Sequence, residues 1–339
     1  MKNKFKIGNL LIGDDRPPVI IAEIGINHEG SIKKCLYLIK KAKLAGADAV
    51  KLQTISPENN YVEKSKSFKI FNKGILTPDE TKKAFNYAKK CKIKIFTTCG
   101  DIETAKWVEK LNPAAWKISS GLIHHIPLIS YLSKFKRTMI LSTGIAKYDE
   151  IEKAIKTIKK TGNNKIVVLQ CTSNYPVKFE NINLSKIRLY KKKFKCDVGF
   201  SDHSIGSDAA FLSVAAGATY LEKHFTLDRK RESFDHRISL EPKEFKNMVI
   251  KIRLAEKIMG SENIKLNRYN LKVRNNLKRI IVAKKDIEKG IKFSQENLSI
   301  KRGFNPKNSL PPIMIYKIIG KKSLKSLKKD TNLTYSHFR

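Results

Sequence analysis

Acidic residues are scarce in this chain. Against 69 Lys and Arg stand 31 Asp and Glu, a net charge of +38 over 339 residues. Such an excess invites a nucleic-acid or anionic-surface reading. The lysines argue against it, because they run along the whole length and no aromatic residues interleave with them in a stacking pattern. A lysine-biased proteome accounts for the charge better, and the positive field would also assist a small anionic substrate. Cysteines number five (Cys35, Cys91, Cys99, Cys171, Cys196), an odd count with no CxxC. That excludes a disulfide framework and fits a reducing compartment. No apolar run approaches the roughly 20 residues of a membrane span. The first eleven residues are basic and carry no apolar segment of the signal-peptide kind, so a cytoplasmic protein is expected. Also missing is a GxGxxG after the first apolar run, which weighs against a dinucleotide-binding open sheet.

What the chain does have is alternation. Short β-branched runs at 19–23, 49–53, 94–98, 115–119, 138–142, 165–170, 196–200 and 219–223 read as strands. Helical patterns follow them at 31–45, 77–90, 102–111, 126–135, 148–161, 184–193, 205–216 and 242–259. Thr77-Pro78-Asp79-Glu80 is a capping box with proline in the first helical turn. Eight strand–helix pairs in about 250 residues predict a (β/α)8 TIM barrel over 1–262. The stretch 263–279 reads as a linker and 280–339 as a small, mostly β domain with short strands at 280–283, 298–302 and 318–320.

In such a barrel the chemistry gathers after the strands. His203 and His224 close the last two strands, and two neutral imidazoles at neighbouring strand ends can hold a divalent metal with positions left open. Lys51, Lys117 and Lys223 are expected in the same mouth, beside the hydroxyls of Thr98, Ser120, Ser173 and Ser201, a combination suited to a phosphate or carboxylate. Glu23 is a candidate acid or base, or a partner for one of the lysines. The site so read joins an anionic, phosphorylated compound to a carbonyl polarised by the metal.

Seven motifs in order carry a resemblance. They are Ile21-Ala22-Glu23-Ile24-Gly25-Ile26-Asn27-His28-Glu29-Gly30, Val50-Lys51-Leu52-Gln53-Thr54, Lys117-Ile118-Ser119-Ser120-Gly121, Leu141-Ser142-Thr143-Gly144, Cys171-Thr172-Ser173-Asn174-Tyr175-Pro176, Gly199-Phe200-Ser201-Asp202-His203 and Glu222-Lys223-His224-Phe225-Thr226. Together they resemble the sialic acid synthase family, N-acetylneuraminate synthase with its legionaminate and pseudaminate relatives. The tail around 284–290 and Lys301-Arg302-Gly303 is similar to the family's antifreeze-like (SAF) domain.

The resemblance implies a transferase that condenses phosphoenolpyruvate with an open-chain N-acetylated hexosamine. Lys51, Thr98, Lys117, Ser120, Ser173 and Ser201 match phosphoenolpyruvate positions. Gln53, Tyr175, Asp235 and Arg302 match sugar-side positions, and Glu23 matches an acid/base candidate. His203 and His224 match ligands of Mn2+, or of Mg2+ or Co2+. Arg302 would come from the partner of a homodimer with swapped tail domains. Leu122 stands where the family often has an acidic residue, so the acyl sugar stays open. Two alternatives remain: a 3-deoxy sugar acid synthase acting with phosphoenolpyruvate on a phosphorylated aldose, and a nucleic-acid binder driven by the charge.

Overall fold

The structure is a computed structural model that describes residues 5–232, 234–260, 265–303 and 308–338. The chain divides into two compact units, Met1–Gly260 and Ser261–Arg339. Among the described residues no helix is long and apolar enough to cross a membrane.

In the first unit a short hairpin comes first, β1 (Phe5–Ile7) and β2 (Leu10–Ile12), joined through Gly8 at φ 60°. Eight parallel strands then close into a barrel. They are β3 (Val19–Gly25), β4 (Ala49–Thr54), β5 (Lys94–Cys99), β6 (Trp116–Ile118), β7 (Met139–Ser142), β8 (Ile166–Gln170), β9 (Asp197–Asp202) and β10 (Tyr220–His224). They neighbour one another in chain order, and β10 pairs with β3 in the register His224 to Glu23.

Helices α1 (Ile32–Leu44), α4 (Pro78–Lys90), α5 (Ile102–Glu109), α6 (Ile126–Ser133), α7 (Tyr148–Lys160), α8 (Lys186–Phe194), α9 (Asp208–Ala215) and α10 (Pro242–Met259) follow the strands. Two short helices, α2 (Pro57–Asn60) and α3 (Lys66–Gly74), lengthen the loop after β4. The expected capping box forms: Thr77 Oγ1 accepts from Glu80 N at 3.3 Å, and Thr77 N donates to Glu80 Oε2 at 3.0 Å. The helices bury one stripe against the strands. On α7 that stripe is Ile151, Ala154, Ile155 and Ile158, each isoleucine contributing about 1.5–3 kcal/mol on burial.

Successive side chains of a strand face opposite ways, and that parity builds the site. Outward residues such as Ile20, Ala22, Val50, Leu52, Leu141, Val168 and Leu221 pack under the helices. Inward residues Val19, Ile21, Ala49, Phe96, Ala115, Ile140, Val167, Leu169 and Tyr220 fill the lower lumen, with Ile7 and Ile12 of the hairpin beneath them. Gly199 makes room there, since a Cβ would lie 2.4 Å from Tyr220 O and 2.7 Å from Leu169 Cδ2. One step higher the inward positions turn polar.

The second unit starts with α11 (Arg268–Leu277), capped by Asn267, in the stretch read as a linker. β11 (Arg279–Ala283) and β12 (Leu298–Arg302) pair antiparallel around a core of Ile281, Ile287, Phe293, Leu298, Leu310 and Leu333. The strand expected at 318–320 is not one: α12 (Ile315–Ile318) occupies its start and Gly320, at φ 89°, turns the chain. A run of apolar residues behind Pro311-Pro312 here feeds a helix turn, which periodicity cannot separate from a short strand.

Candidate active site

The polar layer lies at the C-terminal ends of the strands around a cavity of about 340 Å3, whose lining includes Lys51, Gln53, Lys117, Ser120, Ser173, Tyr175, Ser201, His203, Glu222 and His224. Glu23 and Thr98 are buried at the same level, since Glu23 pairs in register with Lys51 and His224, and Thr98 with Gln53 and Lys117. Thr98 Oγ1 has no hydrogen-bond partner among the described residues and is a free donor in the wall.

The two imidazoles come together, with ring centroids 5.6 Å apart. His203 Nδ1 donates to the Thr172 carbonyl at 2.8 Å, which leaves Nε2 as the lone-pair nitrogen. Burial pushes His203 down to about 4, and burial with the His203 ring beside it holds His224 well below the usual imidazole range. Both rings are therefore neutral near pH 7, the form a metal needs. His224 Nδ1 lacks a hydrogen-bond partner among the described residues and lies 3.6 Å from Asp235 Oδ2. Among the described residues no group of three or more His, Cys, Asp and Glu side chains is placed to hold a metal ion. Two neutral imidazoles lining one cavity are in their chemistry a donor pair for a divalent ion, and would leave its other positions to water or substrate.

Tyr175 covers this pair. Its ring stacks on His203 at 4.3 Å and meets His224 edge-on at 6.0 Å. Asp235 belongs to the loop after β10, and Asn27 anchors it by accepting from Asp235 N at 3.2 Å while donating to Ser239 Oγ at 2.9 Å. Burial raises Asp235 to about 6, opposed by Lys51.

One of the three lysines expected in the mouth lies elsewhere. Lys223 does not point into the mouth. It alternates with Glu222 and His224, so it faces outward, where it donates to Asp202 Oδ2 at 3.1 Å and to the Ser204 carbonyl. Lys51 and Lys117 do face the lumen, each paired with a carboxylate. Lys51 bonds Glu23, which also accepts from Gln53 Nε2 at 3.2 Å. Lys117 bonds Glu222 Oε1 at 3.1 Å. Burial lifts Glu23 to about 7 against the pull of Lys51, with Glu222 adding to the lift. Burial acts on Glu222 too, but the Lys117 and Lys51 ammoniums outweigh it and hold this carboxyl below its ordinary range. Two buried carboxyls of one type are thereby split, one able to carry a proton near neutrality and one ionised.

On the far wall Ser120 Oγ accepts from Gly144 N at 2.9 Å and lies 3.3 Å from Cys171 Sγ. A Cβ at Gly144 would lie 2.2 Å from Ser173 Oγ and 2.9 Å from Ser120 Oγ, so the glycine keeps two hydroxyls open to the cavity. Sequence reasoning missed Glu222 and the Gly144 wall. Strand parity from His224 back to Glu222 was the available signal for the first. Arg302 lies exposed at the end of β12, in the second unit.

A closed parallel barrel with paired lysines, hydroxyls and two neutral imidazoles at its mouth defines a barrel enzyme for a small anionic substrate. Residues 38–264 match the NeuB family, and residues 278–339 match the SAF domain. The N,N'-diacetyllegionaminic acid synthase of Campylobacter jejuni is 36% identical over 328 residues, 92% of this chain and 97% of that protein. The pseudaminic acid synthase of the same organism is 36% identical over 349 residues, 99% and 100% of the two chains. The solved N-acetylneuraminic acid synthetase of Leptospira borgpetersenii, in complex with citrate, is 32% identical with a TM-score of 0.77 over 82% of this chain and 98% of that one. The chain belongs to the NeuB family and is an enzyme of the sialic-acid-synthase type, a transferase, followed by a SAF domain.

Proposed function

We propose that this enzyme condenses phosphoenolpyruvate with an open-chain N-acetylated hexosamine, giving a nonulosonic acid and phosphate. The acceptor is N-acetylmannosamine or a 6-deoxy or diacetamido analogue. One observation carries the reading: two neutral imidazoles 5.6 Å apart share a cavity with Lys51 and Lys117. The named relatives, synthases of legionaminic and pseudaminic acids, support the same class of product.

Phosphoenolpyruvate is assigned to Lys51, Thr98, Lys117, Ser120, Ser173 and Ser201, and the sugar to Gln53, Tyr175 and Asp235. His203 and His224 would hold Mn2+, or Mg2+ or Co2+, which when bound supplies a Lewis acid for the aldehyde oxygen. C3 of phosphoenolpyruvate forms the new bond to the aldehyde carbon, whose oxygen takes a proton. Water adds at C2 and gives up one proton; the second passes from the new C2 hydroxyl to the departing phosphate as the C2–O bond to phosphate breaks, leaving the ketone. Glu23, raised to about 7 by its burial, is suited to hold a proton for these transfers. Arg302 of a second copy completes the sugar side in a homodimer with exchanged SAF domains, working in the cytoplasm.

The test is phosphate release with Mn2+, phosphoenolpyruvate and a sugar panel: N-acetylmannosamine, its 6-deoxy and diacetamido analogues, and a phosphorylated aldose. Turnover of an N-acetylated sugar is expected. Turnover of the phosphorylated aldose alone would move the enzyme to the 3-deoxy sugar acid class, and turnover of none removes the reading.

A further inference from the structure

We propose that Glu222 is the positioning residue of the phosphoenolpyruvate subsite, acting through Lys117 and Ser201. This rests on the proposed function, which assigns both of those residues to that substrate.

β6 and β10 lie on opposite sides of the barrel, four strands apart by either route. Lys117 leaves β6 and Glu222 leaves β10, so their 3.1 Å contact bridges the lumen. The same Oε1 accepts from Ser201 Oγ at 3.1 Å, and Oε2 accepts from Tyr220 OH at 3.0 Å. Three donors from three other positions thus meet on one carboxylate that is 4% exposed.

A carboxylate in an anion pocket repels the anion unless its charge is already engaged. Glu222 is engaged in this way. An ammonium has three N–H donors, so Lys117 keeps two for substrate after bonding Glu222. Without that counter-charge, a lysine 3% exposed would be pushed toward its neutral form, and burial already lowers it. Ser201 is fixed by the same oxygen, so the ammonium and the hydroxyl are held at a set spacing. Tyr220 lies below, within the apolar layer, and reaches the substrate only through Glu222.

The experiment uses the full chain as wild type, Glu222→Gln, Tyr220→Phe, Lys117→Met and the double variant Glu222→Gln/Lys117→Met. Phosphoenolpyruvate binding is measured by calorimetry, and KM for each substrate by phosphate release with the sugar that wild type accepts. Glu222→Gln is expected to weaken phosphoenolpyruvate about tenfold, the loss of a charged hydrogen bond, with sugar KM within about twofold. Tyr220→Phe shifts phosphoenolpyruvate the same way by about threefold and covers the case in which Glu222→Gln does not fold. In the Lys117→Met background Glu222→Gln adds less than about twofold, because two residues acting as one unit are not additive. Unchanged phosphoenolpyruvate affinity, a change confined to sugar KM, or fully multiplicative losses overturn the assignment. Wild type that neither binds phosphoenolpyruvate nor turns over any sugar defeats the functional reading itself, a result separable from the other three.

Discussion

The Tyr175 hydroxyl lies 3.2 Å from Nε2 of His203, on the one lone pair that ring has left. A metal approaching His203 must displace this hydrogen bond. Tyr175 is half exposed and has room to leave. Tyr175→Phe is therefore expected to bind Mn2+ more tightly, by about fivefold for one hydrogen bond. Free Mn2+ counted by electron paramagnetic resonance during a titration measures this, and weaker binding would contradict it.

Loss of either imidazole should be far more severe. His203→Ala and His224→Ala are expected to lower phosphate release by at least about a thousandfold, as should a chelator acting on wild type. Added Mn2+ should restore the chelated wild type and neither variant. A nucleic-acid binder driven by charge would be indifferent to both substitutions, so a salt-sensitive shift of DNA or RNA mobility that survives His203→Ala, together with no turnover, would favour that alternative.

Lys223 separates architecture from chemistry. It is 1% exposed and its partner Asp202 is fully buried, so Lys223→Met strands a carboxylate in the wall between strand and helix. A loss of about 3–5 kcal/mol is expected by urea denaturation. Phosphoenolpyruvate KM, measured on the folded fraction, should stay within about twofold. A large rise in that KM would return Lys223 to the mouth.

Gly144 gives the reverse pattern. Gly144→Ala puts a methyl 2.2 Å from Ser173 Oγ and 2.9 Å from Ser120 Oγ. Both hydroxyls must move, so kcat/KM for phosphoenolpyruvate should fall on the order of 100-fold. The unfolding midpoint should move much less than it does for Lys223→Met.

The acid limb of stability reports His28. It is 1% exposed, and burial lowers it to about 4 against weaker pulls from Glu80 and Glu29. Its folded value lies below the unfolded value of about 6.5, so the unfolded chain binds the extra proton between these two pH values. The contribution is present above about pH 6.5 and is lost as pH falls toward 4, a total of about 3 kcal/mol. Glu23 and Asp235, raised to about 7 and about 6, act with the opposite sign over part of that window. A His28→Gln variant should therefore show a shallower decline from pH 7 to pH 5 than wild type in urea titrations. Parallel declines would count against this account.

The barrel is legible because its strands, three to seven residues long, are apolar runs closed by polar ones, and each is followed by a helical stripe. The N-terminal hairpin is not. Its strands are three residues each and sit in a basic stretch, so only the turn at Gly8 announces it. Position after a strand does not place Lys223, because parity decides which way a side chain faces and neighbours such as Lys223 and His224 cannot share a face. Glu222 escaped notice because its meaning lies in Lys117, 105 residues away in sequence. Ser120 and Ser173 stand out in their motifs, but the glycine that keeps both hydroxyls clear becomes visible only once β7 and β8 lie side by side.

Ile7 and Ile12 seal the lower lumen with the layer of apolar side chains above them. A vessel stoppered at its base has a single doorway. Whatever settles nearest the floor must go in first, and it can leave only after the molecule above it has gone. On the proposed assignment the stopper imposes a queue: the enol phosphate placed against Lys117 would precede the sugar placed under Tyr175, and saturating sugar should slow the escape of bound phosphoenolpyruvate.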